Sequence, residues 1–265
     1  MGYTQYMNES WVPEISTSES ESSTVGFNVG RLTVPVGYQP VGAQLSEMIA
    51  RSSFDVTIVR YPSIHADLAF GLQHPDLVSW QADTLMYFET DRHLEAKSHS
   101  KVELNRLEVD SAKSLSQIVE DIFHGYTNHY AASPLFEGVN IGRAYSDWAM
   151  KSVGQPNRSV YSASRGVDAV VGITVVDTST VDYDEVLLAG ITPDARRAGN
   201  YTSMLSLVIN ESVKSGKRVV ISTQVSNVGV IRAWVKLGML PVLALNTLHV
   251  VKRSTLDTYV SSQVK

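Results

Sequence analysis

The stretch 187–205, LLAGITPDARRAGNYTSML, constrains the fold more than any other part of the chain. Its first residues belong to a short apolar run over 185–191, bounded by acidic residues and by Thr192-Pro193-Asp194, which reads as a buried strand. Thr192-Pro193-Asp194 supplies turn chemistry. Beyond Arg196-Arg197-Ala198-Gly199-Asn200, the residues Met204, Leu205, Val208 and Ile209 recur at helical spacing with Leu207 broadening the stripe, so a helix begins near Asn200. The first amides of a helix lack intrahelical partners and carry the positive end of its dipole, which suits a phosphate or pyrophosphate. Gly199 permits close backbone approach, and Arg196 and Arg197 would add charge-assisted contacts. Taken alone, the stretch equally fits an ordinary strand-to-helix connection with two solvated arginines.

The same alternation of strand and helix runs along the rest of the chain. The segment 16–24, STSESESST, holds no large apolar residue and reads as a mobile loop. Order resumes with an alternating strand over 27–34, a short helix over 44–51, a strand over 55–60, a short helix over 65–74, and one or two strands within 77–90. These define a smaller N-terminal α/β lobe, 1–108. A second lobe, 109–265, opens at Ser114, an N-cap for the amphipathic series Leu115, Ile118, Val119, Ile122 and Phe123. A loop over 125–136, rich in hydroxyl, amide and imidazole groups, has the character of a ligand-facing segment. Tyr145, Trp148 and Ala149 mark a helix over 142–152, with Trp148 and Ala149 reading as core. Strands follow over 159–164, 169–176 and 185–191, then the helix from Asn200, a strand over 218–223, a helix over 228–237 and a last strand over 243–252. That last strand reads as an edge that offers pairing to a second subunit, hence a homodimer.

Composition excludes several function classes. Hydrophobic residues at 43% and charged residues at 18% fit a globular domain, and a formal net charge of −5 argues against a protein that grips nucleic acid. The absence of cysteine removes disulfides, thiol nucleophiles and thiolate-ligated metals; with no His-x-x-x-His spacing, no catalytic metal is expected. No apolar run has the length of a membrane span and the N-terminus lacks a signal-peptide pattern, so a cytoplasmic protein with no membrane partner is expected. Glu19/Glu21 and Asp182/Asp184 read as loop charges rather than a glycosidase dyad, and His124 and His249 as core or surface histidines.

The order of elements in the second lobe resembles the GCN5-related N-acetyltransferase (GNAT) superfamily, whose acyl-CoA signature is Gln/Arg-x-x-Gly-x-Gly/Ala. Arg196-Arg197-Ala198-Gly199-Asn200-Tyr201 carries its Arg and first Gly and places Tyr201 at the last position. Thr223-Gln224-Val225-Ser226-Asn227, a helix, and Lys236-Leu237-Gly238-Met239 resemble the family's strand, Asn, helix and closing Gly. Further segments, Phe27-x-x-Gly30-Arg31-Leu32, Asp83-Thr84-Leu85-x-Tyr87-Phe88-Glu89, His129-Tyr130 before Ser133-Pro134, Tyr145-x-Asp147-Trp148-Ala149 and Thr223-Gln224-x-x-Asn227, are similar to the TDP-fucosamine acetyltransferase group. The implied fold is α/β (α+β), a GNAT fold with a mixed central sheet preceded by the smaller α/β lobe. The implied activity is transfer of an acyl group from acyl-CoA, acetyl or larger, to the amine of a nucleotide-linked, dTDP-type deoxyaminosugar. Such a product serves surface polysaccharide such as lipopolysaccharide O-antigen.

By that resemblance Leu188, Ala189, Gly190 and Ile191 hold the thioester and pantetheine, and Arg196, Arg197, Ala198, Gly199, Asn200, Tyr201 and Thr202 hold the pyrophosphate. Asn227 would contact the pantetheine, and it equally reads as an N-cap for the helix that follows. Trp234 stands where the group carries a tyrosine that protonates the leaving thiolate. An indole does not supply that proton near neutral pH, which leaves water, Tyr201, or a reshaped acyl pocket. His129 is the candidate base, with a structural or sugar-binding role as its alternative. Tyr130, Tyr145, Asp147 and Thr223 are candidates for binding the acceptor. Other readings are a GNAT enzyme acting on a polyamine, amino acid or protein amine, and a non-catalytic ligand-binding module of the same fold.

Overall fold

The computed structural model describes residues 2–7, 11–94, 96, 102–109, 115–166 and 169–263; Ser114 lies outside the described residues. The chain opens with β1 (Ser16–Thr17), α1 (Glu19–Val25), β2 (Val29–Thr33), α2 (Gly42–Arg51), β3 (Val56–Pro62), α3 (Leu68–Gly71) and β4 (Leu77–Glu89). It continues through β5 (Glu103–Arg106), α4 (Ser116–Phe123), α5 (Ile141–Ser152), β6 (Arg158–Ser164), β7 (Val170–Asp177) and β8 (Tyr183–Ile191). The remainder is α6 (Asn200–Lys214), β9 (Arg218–Gln224), α7 (Val228–Lys236), β10 (Leu240–Lys252) and α8 (Arg253–Gln263). Two compact units emerge: the first holds Met1–Leu85, Thr127–Val139 and Leu243–Lys265, the second Met86–Tyr126 and Asn140–Val242. These boundaries differ from a division at residue 108, because the aromatic loop and the C-terminal segment group with the N-terminal residues.

In the first unit β2 and β3 are parallel, and β3 pairs antiparallel with β10 from Val56↔Val251 to Pro62↔Leu245. One face of this sheet carries Leu32, Val59, Tyr61 and Leu248 and is covered by Leu45 and Ile49 of α2 and Leu68 of α3. Leu45 and Ile49 are four residues apart, so they stack on one side of α2 and both are buried. The other face carries an apolar end, where Val56 and Val251 pack with Leu135 and Phe136, and a buried polar patch beside it. The register sets Arg31 and His249 on either side of Ile58, and Arg60 opposite Thr247.

Three expectations are corrected here. Residues 16–24 form β1 and α1 instead of a mobile loop, because Glu21 is drawn inward, only 4% exposed, to pair with Arg31. The last strand is not an edge: β10 lies between β3 and β4 in the strand order. Asp184 is not a loop charge either, since it is buried and receives hydrogen bonds from Ser212 Oγ at 2.8 Å and Lys217 Nζ at 2.9 Å.

In the second unit the strand order is β5-β6-β7-β8-β9, antiparallel as far as β8 and parallel between β8 and β9, so the sheet is mixed. Helices α4 and α5 cover one face with Val119, Ile122, Phe123 and Ala149 against Val160, Ile173, Val175 and Leu188. Helices α6 and α7 cover the other with Leu205, Val208, Ile209 and Trp234 against Val176, Val186, Val219 and Ile221. Ala149 is in the core as expected, whereas Trp148 is 38% exposed: one helical step of about 100° carries it off the buried face. Strand β5 and helix α8 lack the patterns that identify elements in sequence, and α8 buries no residue.

Candidate acyl-CoA site

The second unit's sheet opens between β8 and β9. Opposite β7, Val175 pairs with Leu188 and Val176 with Val186, which leaves Leu187 as the extra residue of a β-bulge. The consequence is visible in the packing: Val186 joins the α6/α7 core while Leu188, two residues on, joins the α4/α5 core. Residues two apart on a regular strand share a face, so the bulge has turned the strand over. The parallel ladder to β9 runs from Tyr183↔Arg218 to Val186↔Ile221 and stops there, although β8 extends to Ile191 and β9 to Gln224. Leu188, Ala189, Gly190 and Ile191 therefore present a strand edge with no ladder partner from β9. An extended ligand bearing amides can complete such an edge.

The end of β8 leads into a single 3-10 turn, Pro193–Ala195, and then into a loop held in left-handed backbone conformations at Arg197, φ 63°, and Gly199, φ 81°. Gly199 is the residue before α6, and its lack of a Cβ is what makes this conformation inexpensive. The loop is tied down from within. Arg196 donates through Nη2 to Ile122 O at 2.8 Å and through Nε to Ile191 O at 3.3 Å, linking the loop to α4 and to the end of β8. Asn200 is 1% exposed and donates to Ala195 O at 2.9 Å, and Thr202 Oγ1 donates to Gly199 O at 3.1 Å. Arg196 and Asn200 thus shape the loop through their side chains, while the exposed Arg197, Ala198 and Gly199 lie at its surface. The first turn of α6 contains no acidic residue, which suits an anion at this helix start; Asp194 lies in the preceding 3-10 turn.

Tyr201 does not face the loop. Its hydroxyl accepts a hydrogen bond from Trp234 Nε1 at 3.0 Å, and burial raises its pKa well above the ordinary phenol range. Trp234 is 1% exposed and packs edge-on against Phe88 with ring centroids 5.4 Å apart. Tyr201 is therefore a protonated, poorly acidic phenol locked to the indole, and the pair forms a fixed wall beneath the splayed strands. Asn227 starts α7, but its side chain makes no capping bond; it donates through Nδ2 to Thr223 Oγ1 at 3.1 Å. Asn227 thus holds the N-cap position, as one of its two readings expected, with its backbone carbonyl accepting from Val230 and Ile231 and its side chain left out of the cap.

On the α4/α5 side stands a cluster of three rings. Phe123 and Tyr145 are 4.9 Å apart, and Tyr126 lies 5.9 Å from each. The Tyr126 hydroxyl donates to Oε1 of Gln224, the last residue of β9. Tyr126 is the residue that no sequence pattern singles out, although it falls in the polar loop over 125–136; Gln224 stands in the Thr223-Gln224-x-x-Asn227 segment, where it ends an apolar strand. Tyr145 belongs to this cluster. Asp147 is exposed on α5, about 200° around the helix from Tyr145, and is not brought to it.

His129 and Tyr130 lie in the first unit, within its buried polar patch. Tyr130 Oη donates to Glu21 Oε1 at 2.6 Å, Arg31 pairs with the same carboxylate, and His129 shares a 3.0 Å hydrogen bond between its Nδ1 and His249 Nε2. His129 Nε2 is 3.9 Å from Glu21 Oε1. Burial would raise the Glu21 carboxyl, but Arg31 and the hydrogen bonds from Arg31, Tyr130 and Ser18 outweigh it and hold the group below the usual range. Burial, then Arg60, His249 and Arg31, press His129 well below 6.5, and burial brings His249 to about 4. Both histidines are neutral at pH 7. Among the described residues no group of three or more His, Asp or Glu is arranged to hold a metal ion, and no helix is long and apolar enough to cross a membrane.

The sequence matches no protein-family model and no curated protein. Solved structures do match. A functionally unknown conserved protein from Staphylococcus epidermidis superposes with a TM-score of 0.61 at 11% identity, covering 93% of each chain. A GCN5-related N-acetyltransferase from Sphaerobacter thermophilus gives 0.56 at 10% identity over 91% of this chain and 76% of that one. Another, from Kribbella flavida, gives 0.54 at 14% identity over 84% and 81%. At such identities the likeness is one of fold: a mixed α/β architecture of the kind found in GNAT acetyltransferases.

Proposed function

We propose that the protein is an acyl-CoA-dependent N-acyltransferase. The observation that carries this reading is the opening between β8 and β9 past Val186 and Ile221, continuous with the Gly199 loop and the start of α6. Such an edge suits the two amides of a pantetheine arm, and the helix start suits the pyrophosphate that follows it. In the reaction the lone pair of a neutral amine attacks the thioester carbonyl carbon, the C–N bond forms, the C–S bond breaks, and the amine's surplus proton leaves with the thiolate or through water. The backbone N–H groups of Leu188–Ile191 that point away from β7 would stabilise charge developing on the carbonyl oxygen.

For the acceptor we infer the amine of a nucleotide-linked, dTDP-type deoxyaminosugar. Support comes from the segments around Arg31, Asp83, His129, Tyr145 and Gln224 that resemble TDP-fucosamine acetyltransferases. The Tyr201–Trp234 wall, in place of a lone tyrosine, makes an acyl group larger than acetyl the reading to test beside acetyl itself. Because the chain contains no cysteine, thiol release can be followed with a colorimetric thiol reagent without background from the protein. With acetyl-, propionyl- and butyryl-CoA, release is expected to depend on an added dTDP-aminohexose. Release driven only by spermidine or free amino acids would replace the acceptor, and no acceptor-dependent release would end the enzymatic reading.

A further inference from the structure

Gln224 occupies a special position: it is the last residue of β9, past the point where the ladder to β8 has ended, and is 8% exposed. A carboxamide has one acceptor oxygen and two N–H donors, and an unrestrained one presents either end. Here the oxygen is taken by the Tyr126 hydroxyl, whose ring is held edge-on against both Phe123 and Tyr145. The amino group is thereby turned away from Tyr126. Among the described residues no protein group accepts from Gln224 Nε2, and that atom is not one of those sealed from solvent without a partner. The chain thus holds an oriented double donor at the mouth of the splayed strands.

Its face identifies what it serves. Tyr126, Phe123 and Tyr145 stand with the α4/α5 layer, whereas the loop suited to pyrophosphate leads into α6, in the layer on the opposite face. A pantetheine arm completing the edge of β8 would occupy the plane of the sheet between the two. We propose that Gln224 determines acceptor specificity by donating from its amino group to a hydroxyl or ring oxygen next to the reacting amine, with Tyr126 as the positioning residue that fixes the amide's orientation. This inference rests on the N-acyltransferase reading.

Gln224→Glu keeps an oxygen for Tyr126 and removes both N–H donors; Tyr126→Phe keeps the ring and releases the amide. Steady-state kinetics on full-length protein, with acetyl-CoA and dTDP-aminohexoses, read the two apart. The expected result is an acceptor KM raised about tenfold or more in Gln224→Glu and about threefold in Tyr126→Phe. The double variant is expected to be no worse than Gln224→Glu, with the acetyl-CoA KM and thermal midpoint within error of the parent. Equal rises in both KM values, or unchanged acceptor KM in both variants, would overturn the proposal while leaving the enzymatic reading intact. Failure of the unmodified protein to acylate any acceptor would remove both. Gln224→Met, which has no carboxylate charge, must reproduce the Gln224→Glu effect; a normal acceptor KM in that variant would assign the effect to charge and overturn the donor role.

Discussion

The molecule contains two polar clusters of opposite character. In the first unit Glu21, Arg31, Tyr130, His129 and His249 answer one another: each makes a hydrogen bond or ion pair with another member, and the carboxylate and both histidines are nearly sealed from water. In the second unit the groups around the β8/β9 opening are paired on one side only. Leu188–Ile191 have a strand partner in β7 and none in β9, Gln224 uses its oxygen and not its amino group, and the Gly199 loop ends on a helix whose first turn holds no acidic residue. A network paired among its own members, here with His249 Nδ1 left buried and unpartnered, spends most of its polar groups on holding the fold, because an unmatched buried charge is costly. A half-paired one leaves directed groups for a ligand. The difference assigns stability to the first cluster and binding to the second.

The sharpest way to break that assignment is Arg31→Met, which leaves the Glu21 carboxylate buried without its cation. A loss of roughly 3 kcal/mol or more in urea unfolding is expected. The companion double variant Glu21→Gln/Arg31→Met should recover much of it. A loss below about 1 kcal/mol would place the pair among ordinary surface bridges.

Acid tests the same cluster through its histidines. His249 in the folded protein titrates at about 4 and His129 well below 6.5, so the unfolded chain binds more protons as pH falls below 6.5. Their stabilising contribution is complete above pH 6.5 and is lost as pH falls toward the folded values; for His249 alone it amounts to roughly 3 kcal/mol. The Glu21 carboxyl acts in a separate window, below its ordinary value of 4.5. Thermal midpoints measured from pH 7.5 to 5 should therefore decline, and His249→Gln should flatten the decline.

A smaller effect separates stability from catalysis at His129. With its ring nitrogens facing His249 and Glu21 and its basicity depressed by burial, His129→Asn is expected to lower the thermal midpoint while leaving the shape of the pH–rate profile unchanged. A flattened rise with pH would instead assign the general-base role to His129.

The second unit's side of this contrast is partly legible in the sequence. The helix start at Asn200 and the strand ending at Ile191 stand where apolar periodicity put them, and they frame the Gly199 loop. What periodicity could not carry was pairing at a distance. Glu21 sits in a run of serines and glutamates and becomes buried only because Arg31 and Tyr130 answer it across the fold. Asp184 likewise joins Ser212 and Lys217, residues that no local pattern connects to it. The bulge at Leu187 was equally silent, since an uninterrupted apolar run does not reveal which residue of it is unpaired. The same limit applies to Arg196 and Tyr201: their positions suggested ligand contacts, while their partners, the carbonyls of Ile122 and Ile191 and the Trp234 indole, turn them into the frame of the site.

The most direct test of the central claim, that the β8/β9 opening and the Gly199 loop bind acyl-CoA, is calorimetric titration of CoA into the unmodified protein and into Gly199→Val. A β-branched residue does not readily adopt the φ of 81° found there. One-to-one binding in the parent and at least about tenfold weaker binding in the variant, equivalent to roughly 1.4 kcal/mol, is the expected result, with circular dichroism showing both folded. No heat of binding in the parent, or equal affinity in the two proteins, would contradict the account.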